Sequence, residues 1–451
     1  MTTSVEFPNE FRGQIVKPGD PNYDAVRKVH NGLIDKRPAV IARCVGLADI
    51  ADAIRYATAQ KLEISVRGGG HNVGGRAVSE GGLMIDLSLM KGVHTNARYR
   101  IAVVEGGALW KDLNRETQLH GLAVTGGVVG TTGVAGLTLG GGLGWLLPKH
   151  GLALDNLLAV NLVLADGTVV RASDQEHPDL FWAVRGGGGN FGVAGSFEFN
   201  LHPVGPLVMG GLVAFPFLEA GKVLRAWRDM TRTASDDLMM VAALLSAPDG
   251  SGNKIIGIAA CHCGAKTEAE AALARLQSFG TVVMNALGPI PYTALNGMLD
   301  AGYPSGALNY WKSGFIPTLS DEAIDAAVTA HAGCPVPTSQ ILFEHFHGAA
   351  TRISAEATAY ALRDPGYNTL VLGQWMDPAD GTRTTAWVRE SFESLRAHFG
   401  QNRYVNYLGP DDGGDVAGIA AYGANLPRLR RLKKQYDPQN IFHLNVNVVP
   451  E

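Results

Sequence analysis

A histidine set directly behind three glycines, in Arg67-Gly68-Gly69-Gly70-His71-Asn72-Val73-Gly74-Gly75, is the arrangement in this chain best suited to chemistry. Glycines reach positive φ and carry no Cβ, so successive backbone N–H groups can converge on an anion such as a pyrophosphate. The imidazole then stands as a nucleophile beside whatever that anion carries. Taken alone, the segment reads equally well as a tight turn with a satisfied histidine. Two further clusters weigh against the turn: Gly130 to Trp145, with glycines at 130, 133, 136, 140, 141, 142 and 144, and Arg185 to Val193, with glycines at 186 to 189 and 192. Three such loops in one domain could enclose an elongated dinucleotide.

A second set of reactive groups lies far along the chain, in Leu342-Phe343-Glu344-His345-Phe346-His347. The run has strand character, so its even positions share one face and its odd positions the other. An inward even face offers Glu344 as a proton acceptor with Phe346 beside it; an inward odd face offers His345 and His347. Glu344 is preferred, because a carboxylate in an apolar site has a raised pKa suited to taking a substrate proton. A surface salt bridge is the competing role.

Other chemistries find no support. A Rossmann fingerprint needs Gly-x-Gly-x-x-Gly between a strand and a helix, yet Leu147 stands where the third glycine after Gly142 and Gly144 belongs. The Walker pattern is absent. Cys261-His262-Cys263 lacks the spacing that wraps two thiolates round one metal, and no second pair follows, so no metal is expected and the four cysteines read as reduced thiols.

The elements that must position these groups fall into two textures. The 451 residues exceed what one hydrophobic core usually serves. Glycine numbers 57, against roughly 32 at average usage, and the excess clusters before residue 200. Short strands at 38–43, 62–66, 84–87, 101–105, 157–164, 168–171 and 194–201 surround the glycine runs, with helices over 45–60 and 109–119 and a hairpin turn at Asp166-Gly167. After Pro206 longer amphipathic helices over 217–232, 267–277, 321–331 and 385–398 alternate with strands over 238–245, 254–261, 340–347 and 370–375, the pattern of an antiparallel sheet with helices on one face. A net charge of −4 argues against a nucleic-acid partner or a polybasic membrane contact. No stretch reaches 18 uninterrupted apolar residues, and residues 1–11 are polar, so a cytoplasmic monomer or homodimer is expected.

Five motifs, taken in order, are more specific than any single loop: Arg67-Gly-Gly-Gly-His71, the run Gly133 to Gly144, Lys149 to Asn156, Phe181-Trp-Ala-Val-Arg-Gly186, and Tyr436-Asp-Pro-Gln-Asn-Ile-Phe442. They resemble the berberine-bridge-enzyme-like flavin oxidases of the vanillyl-alcohol oxidase and p-cresol methylhydroxylase superfamily, over nearly the whole chain. The resemblance implies an α+β protein. An FAD-binding domain of two subdomains would occupy 1–206 (core 37–206), a substrate domain 207–405, and a C-terminal segment over 406–451 would fold back on the first domain.

It further implies that FAD is held covalently through the flavin 8α carbon by His71. Some relatives add a cysteine bond four residues before the glycine matched by Gly133; that position is Val129, so attachment through His71 alone is expected. Cofactor contacts are implied for Arg67, Gly68, Gly69, Gly70, Asn72, Val129, Gly130, Thr131, Thr132, Gly133, Gly136, Gly141, Gly142, Gly144, Asn190, Gly192, Val193, Asn445 and Asn447. Thr132 falls at a position that governs oxygen access, and Tyr404, in Tyr404-Val405-Asn406-Tyr407, at one that lines the substrate cavity. Glu344, Tyr404, Thr132 and His347 are therefore the candidate catalytic groups. The implied reaction oxidises a C–H bond of a small alcohol, amine or secondary metabolite by hydride transfer to flavin N5. The electrons then pass to O2, giving hydrogen peroxide, or to another acceptor.

Overall fold

The computed structural model describes residues 7, 8, 10–409, 411, 412 and 414–451, so most of the polar N-terminal stretch, residues 1–6 and 9, lies outside it. Three sheets carry the fold. In the first, Leu83–Asp86 runs parallel to both Val40–Arg43 and Ile64–Arg67, and Gln14–Val16 pairs antiparallel at the edge. Helix Leu47–Gln60 covers one face because Ile50, Ile54 and Ala57 recur at helical spacing; all three are buried. The strand Ile64–Arg67 stops where Gly68 begins, which puts the glycine loop at the carboxyl edge of the parallel strands.

The second sheet is antiparallel, in the order Val93–Asn96, Ile101–Glu105, Val193–Asn200, Leu157–Val163, Val169–Ser173. The Asp166-Gly167 turn closes its last hairpin: Gly167 sits at φ +82°, Leu164 N donates to the Thr168 carbonyl and Gly167 N to the Leu164 carbonyl. The glycine loops are connections within these two sheets: residues 68–75 join Ile64–Arg67 to Leu83–Asp86, and the runs 130–144 and 186–192 lead into Leu157–Val163 and Val193–Asn200.

The third sheet is the largest. Its strands run in the order Met284–Asn285, Leu207–Pro216, Lys254–His262, Leu238–Ser246, Gln340–Phe346, Gly366–Trp375, Leu308–Ile316, all antiparallel, with Gly288–Pro291 also paired to Leu207–Pro216. Helices Ala220–Thr231, Lys266–Gln277, Asp321–Ala332 and Gly381–Leu395 cover one face, and Trp227, Ile341, Phe343, Val371 and Phe392 fill the core between. The period of two then sends the alternate residues, Leu342, Leu370 and Leu372 among them, to the opposite face, where a separate apolar cluster forms.

The tail returns across the first two sheets. Helix Leu426–Tyr436 ends at Asp437, and residues 441–448 run past the glycine loop at 186–192. Lys433, fully buried, holds this join: its Nζ donates to the Asp437 carboxylate at 2.7 Å and to the carbonyls of Asn190 and Phe442. Among the described residues no helix is long and apolar enough to cross a membrane.

Candidate active site

Where the three sheets meet, a cavity of about 370 Å³ opens, walled on one side by the glycine loops and on the other by the uncovered face of the large sheet. The glycine wall is assembled backbone against backbone. A Cβ on Gly69 would stand 2.4 Å from the Gly133 nitrogen, and one on Gly133 would stand 2.4 Å from the Gly69 nitrogen, so neither position admits a side chain. Gly70, at φ +69°, turns the chain so that His71 enters the cavity. The imidazole lies flat against His30, with centroids 3.9 Å apart and an interplanar angle of 20°, and its Nδ1 faces the Thr132 hydroxyl at 3.5 Å. Burial, reinforced by the His30 ring, pulls the His71 pKa down to about 3, so the imidazole is neutral and its lone pair is available.

The sheet wall carries one carboxylate. Gln340, Leu342 and Glu344, on the even face, line the cavity, while Ile341 and Phe343 point into the helical layer. Glu344 is buried; Asn368 Nδ2 donates to its Oε2 at 2.5 Å and Tyr407 OH to its Oε1 at 3.1 Å. Desolvation outweighs both bonds and pushes its pKa up to about 7. Tyr303, whose hydroxyl accepts from Gln340 Nε2 at 2.9 Å, and Trp311 complete an otherwise aliphatic wall of leucine, valine and alanine.

The structure brings most of the expected residues to this cavity: His71, Gly68, Gly69, Gly70, Asn72, Val129, Thr132, Gly133, Gly136, Gly192, Val193, Asn445, Glu344 and Tyr404 all line it. Others are held elsewhere. Arg67 turns away to pair with Asp86 at 2.6 Å and to cap the carbonyls of Val26 and Lys28. Gly130 backs onto Asp300, which accepts its N–H, and Thr131 beside it does not reach the cavity. Gly141, Gly142 and Gly144 serve packing, against Tyr360, Ala153 and the Gly126 carbonyl respectively, and their neighbours Gly140 and Leu143 line the cavity instead. Asn190 is a buried pin, donating to Gly187 O and Val446 O and accepting from Val448 N. Asn447 lines a smaller adjoining cavity. His347 sits outside, stacked 3.8 Å from His345, with its Nε2 near the Ser235 carbonyl, because both occupy the odd side of their strand and its continuation. Tyr404 reaches the wall, but its phenolic oxygen already accepts from Gly142 N, Leu143 N and Asn406 Nδ2, and burial pushes its pKa up to about 12.

Comparison with known proteins agrees with this architecture. Residues 38–173 match the family described as FAD binding domain, and residues 403–449 the family described as Berberine and berberine like. (R)-6-hydroxynicotine oxidase of Paenarthrobacter nicotinovorans is 29% identical over the full length of both chains. The crystal structure of 6-hydroxy-D-nicotine oxidase from Arthrobacter nicotinovorans superposes with a TM-score of 0.89 at 30% identity, covering 99% of this chain and 100% of that one. The chain belongs to the berberine-bridge-enzyme-like FAD-linked oxidoreductases. A glucooligosaccharide oxidase from Acremonium strictum, which carries a 6-S-cysteinyl, 8α-N1-histidyl FAD, shares the fold at a TM-score of 0.85 and 25% identity, covering 97% of each chain.

The residues present fit FAD as the cofactor of this berberine-bridge-like enzyme. Gly69, Gly133 and Gly192 line the cavity and pack backbone against backbone, the first two on each other and the third on the Val163 carbonyl, which leaves the loop N–H groups uncovered by side chains at these points. Four groups at the site escaped sequence reasoning. His30 stands in a turn with no periodic pattern to mark it. Tyr407 stood in the Tyr-x-Asn-Tyr segment, but nothing in one sequence separates its role from that of Tyr404. Asn368 lies before the strand expected over 370–375; the strand begins at Gly366, which places Asn368 on the same face as Leu370 and Leu372. Arg76 follows the glycine loop with no motif of its own to single it out.

Proposed function

We propose that this protein is a monocovalent FAD oxidase that removes hydride from a carbon bearing an amine or hydroxyl in a compact, apolar substrate. Bound FAD would supply the two-electron acceptor for that hydride, with O2 as the onward acceptor and hydrogen peroxide as the product. His71 is the tether to the flavin 8α carbon, and Val129 leaves it without a cysteine companion. The neutral, ring-stacked imidazole supports that assignment, since attack needs an unprotonated nitrogen held in place. Thr132, within reach of His71, orients that ring.

The observation that carries the reading is Glu344 on the cavity wall facing the glycine loops. A buried carboxyl whose pKa lies near 7 is matched to accepting an N–H or O–H proton at neutral pH. Tyr407 and Asn368 fix its two oxygens. Tyr404 acts as a positioning residue, pinning the 404–407 turn to the loop at Gly142. The surrounding wall offers few hydrogen-bonding groups beyond Gln340 and Tyr303, so a ring-bearing lipophilic molecule fits it better than an oligosaccharide, whose hydroxyls would lose water without replacement.

Acid precipitation tests the tether: the flavin chromophore should stay with the wild-type protein and be released from His71→Ala, and release from wild type refutes it. Anaerobic mixing with lipophilic amines and alcohols should bleach the flavin, and admission of air should restore it with stoichiometric peroxide. A flavin that no member of such a panel reduces would overturn the assignment of substrate class.

A further inference from the structure

Among the residues lining the main cavity, Arg76 is the only arginine or lysine. It stands five residues beyond His71, and its guanidinium is fixed by two carbonyls: Nη1 donates to Asn445 O and Nη2 to Asp412 O, each at 2.8 Å. Neither partner is an anion. The Asp412 carboxylate is engaged by Lys312 and Arg403, both at 3.2 Å, and among the described residues no carboxylate lies within ion-pairing distance of Arg76. Its Nε is buried with no acceptor at all. A half-buried guanidinium with no carboxylate paired to it is stabilised by an anion that enters the cavity.

Asn445 joins Arg76 to a second glycine loop, because its amide packs within 3.2 Å of where a Gly189 Cβ would stand. Arg76 lines both the main cavity and the adjoining one of about 300 Å³, where Lys36 and Asp412 also stand, the latter already paired with Lys312 and Arg403. Glu344, the one carboxylate of the cavity lining, belongs to the sheet wall. FAD brings one permanent anion to this cavity, its diphosphate. Glycine loops alone offer N–H dipoles, and an arginine offers a planar fork matched to phosphate oxygens.

We propose that Arg76 is the counter-charge for the diphosphate of FAD, holding it while its two carbonyl partners fix the fork from behind. The assignment concerns cofactor capture and is independent of whether His71 forms a covalent bond.

The test uses the full chain carrying His71→Ala, so that FAD exchanges freely, with Arg76→Met and Arg76→Lys added separately. FAD affinity is measured by flavin fluorescence, and ADP affinity by displacement of FAD. Arg76→Met should weaken both ligands by the same factor, roughly 10- to 100-fold, as expected for loss of a charge-assisted hydrogen bond. Arg76→Lys should recover part of the loss, and the salt dependence of FAD binding should flatten in Arg76→Met alone. Weakening of FAD with ADP unchanged would place Arg76 at the flavin ring and overturn the proposal, as would unchanged affinity for both. Thermal melting of the apo-proteins distinguishes a folding defect, in which case the lysine variant alone decides the outcome by its ratio of FAD to ADP loss.

Discussion

Replacing Glu344 with glutamine tests the proton-accepting role and the burial that shapes it in one variant. The side chain is nearly isosteric and its hydrogen bonds can be rebuilt. Glutamine Oε1 can accept from Tyr407, while its NH2 would meet the Asn368 NH2; the Asn368 Oδ1, now buried without a partner, becomes the acceptor if that amide turns over. In the wild type, the carboxyl holds its proton up to about pH 7, against 4.5 in the unfolded chain. Native stability from this group is therefore present below pH 4.5 and lost as pH rises to about 7, beyond which the buried carboxylate costs about 3 kcal/mol. The variant escapes that loss. Urea unfolding of the two holoenzymes should show Glu344→Gln gaining on wild type by about 3 kcal/mol between pH 4.5 and 8. Over the same range, wild-type kcat/KM should climb about tenfold per pH unit below 7 and level off above it. The variant should lose on the order of 10²- to 10⁴-fold and show no such limb. A stability difference that does not change with pH, or an acid limb surviving in the glutamine variant, would refute the reasoning.

Two further substitutions probe the scaffold. Lys433→Met removes the cation from a fully buried pair and strands Asp437, so chemical denaturation should show a loss of about 3–5 kcal/mol, largely recovered when Asp437→Asn is added. Gly69→Ala drives a methyl against the Gly133 nitrogen, which as backbone cannot step aside; the flavin-to-protein ratio of the purified enzyme should fall sharply, with a stability cost on the order of 1–3 kcal/mol, and an unchanged ratio would show that the two loops are free to part.

Much of the fold was legible in the sequence because its signals are local. The helices over 45–60 and 109–119 begin and end within two residues of Leu47–Gln60 and Trp110–Gln118, and the paired strands around Asp166-Gly167 form as their turn chemistry requires. Leu207–Pro216 and Leu308–Ile316 carry no strand signal of their own: the first is interrupted by Gly210 and Gly211, and the second mixes Lys312 and Ser313 into its apolar run, so neither shows clean alternation although both are long strands of the large sheet. At the site, motif order pointed to the glycine loops as a set but not to which glycine faces the cavity. Gly140 and Gly142 differ in backbone conformation, the second at φ +95°, and in what lies behind them, Asn406 for one and Ala153 for the other, neither of which the local motif specifies. Partners such as Asn368 and His30 likewise depend on strand register and ring stacking, which a single sequence does not encode in its spacing.

The return of residues 441–448 has a bearing on the order of events during synthesis. The wall formed by Phe442, Leu444, Asn445 and Val446 is made after the glycine loops it closes on, since it follows them in the chain, and Lys433 locks it only once Asp437 and Phe442 have arrived. Until then the cavity lacks one side, and the guanidinium of Arg76 lacks the Asn445 carbonyl that aims it. Docking of residues 441–448 is thus coupled to completion of the cofactor cavity, and protein prepared without FAD should be cut by protease within that segment before it is cut elsewhere.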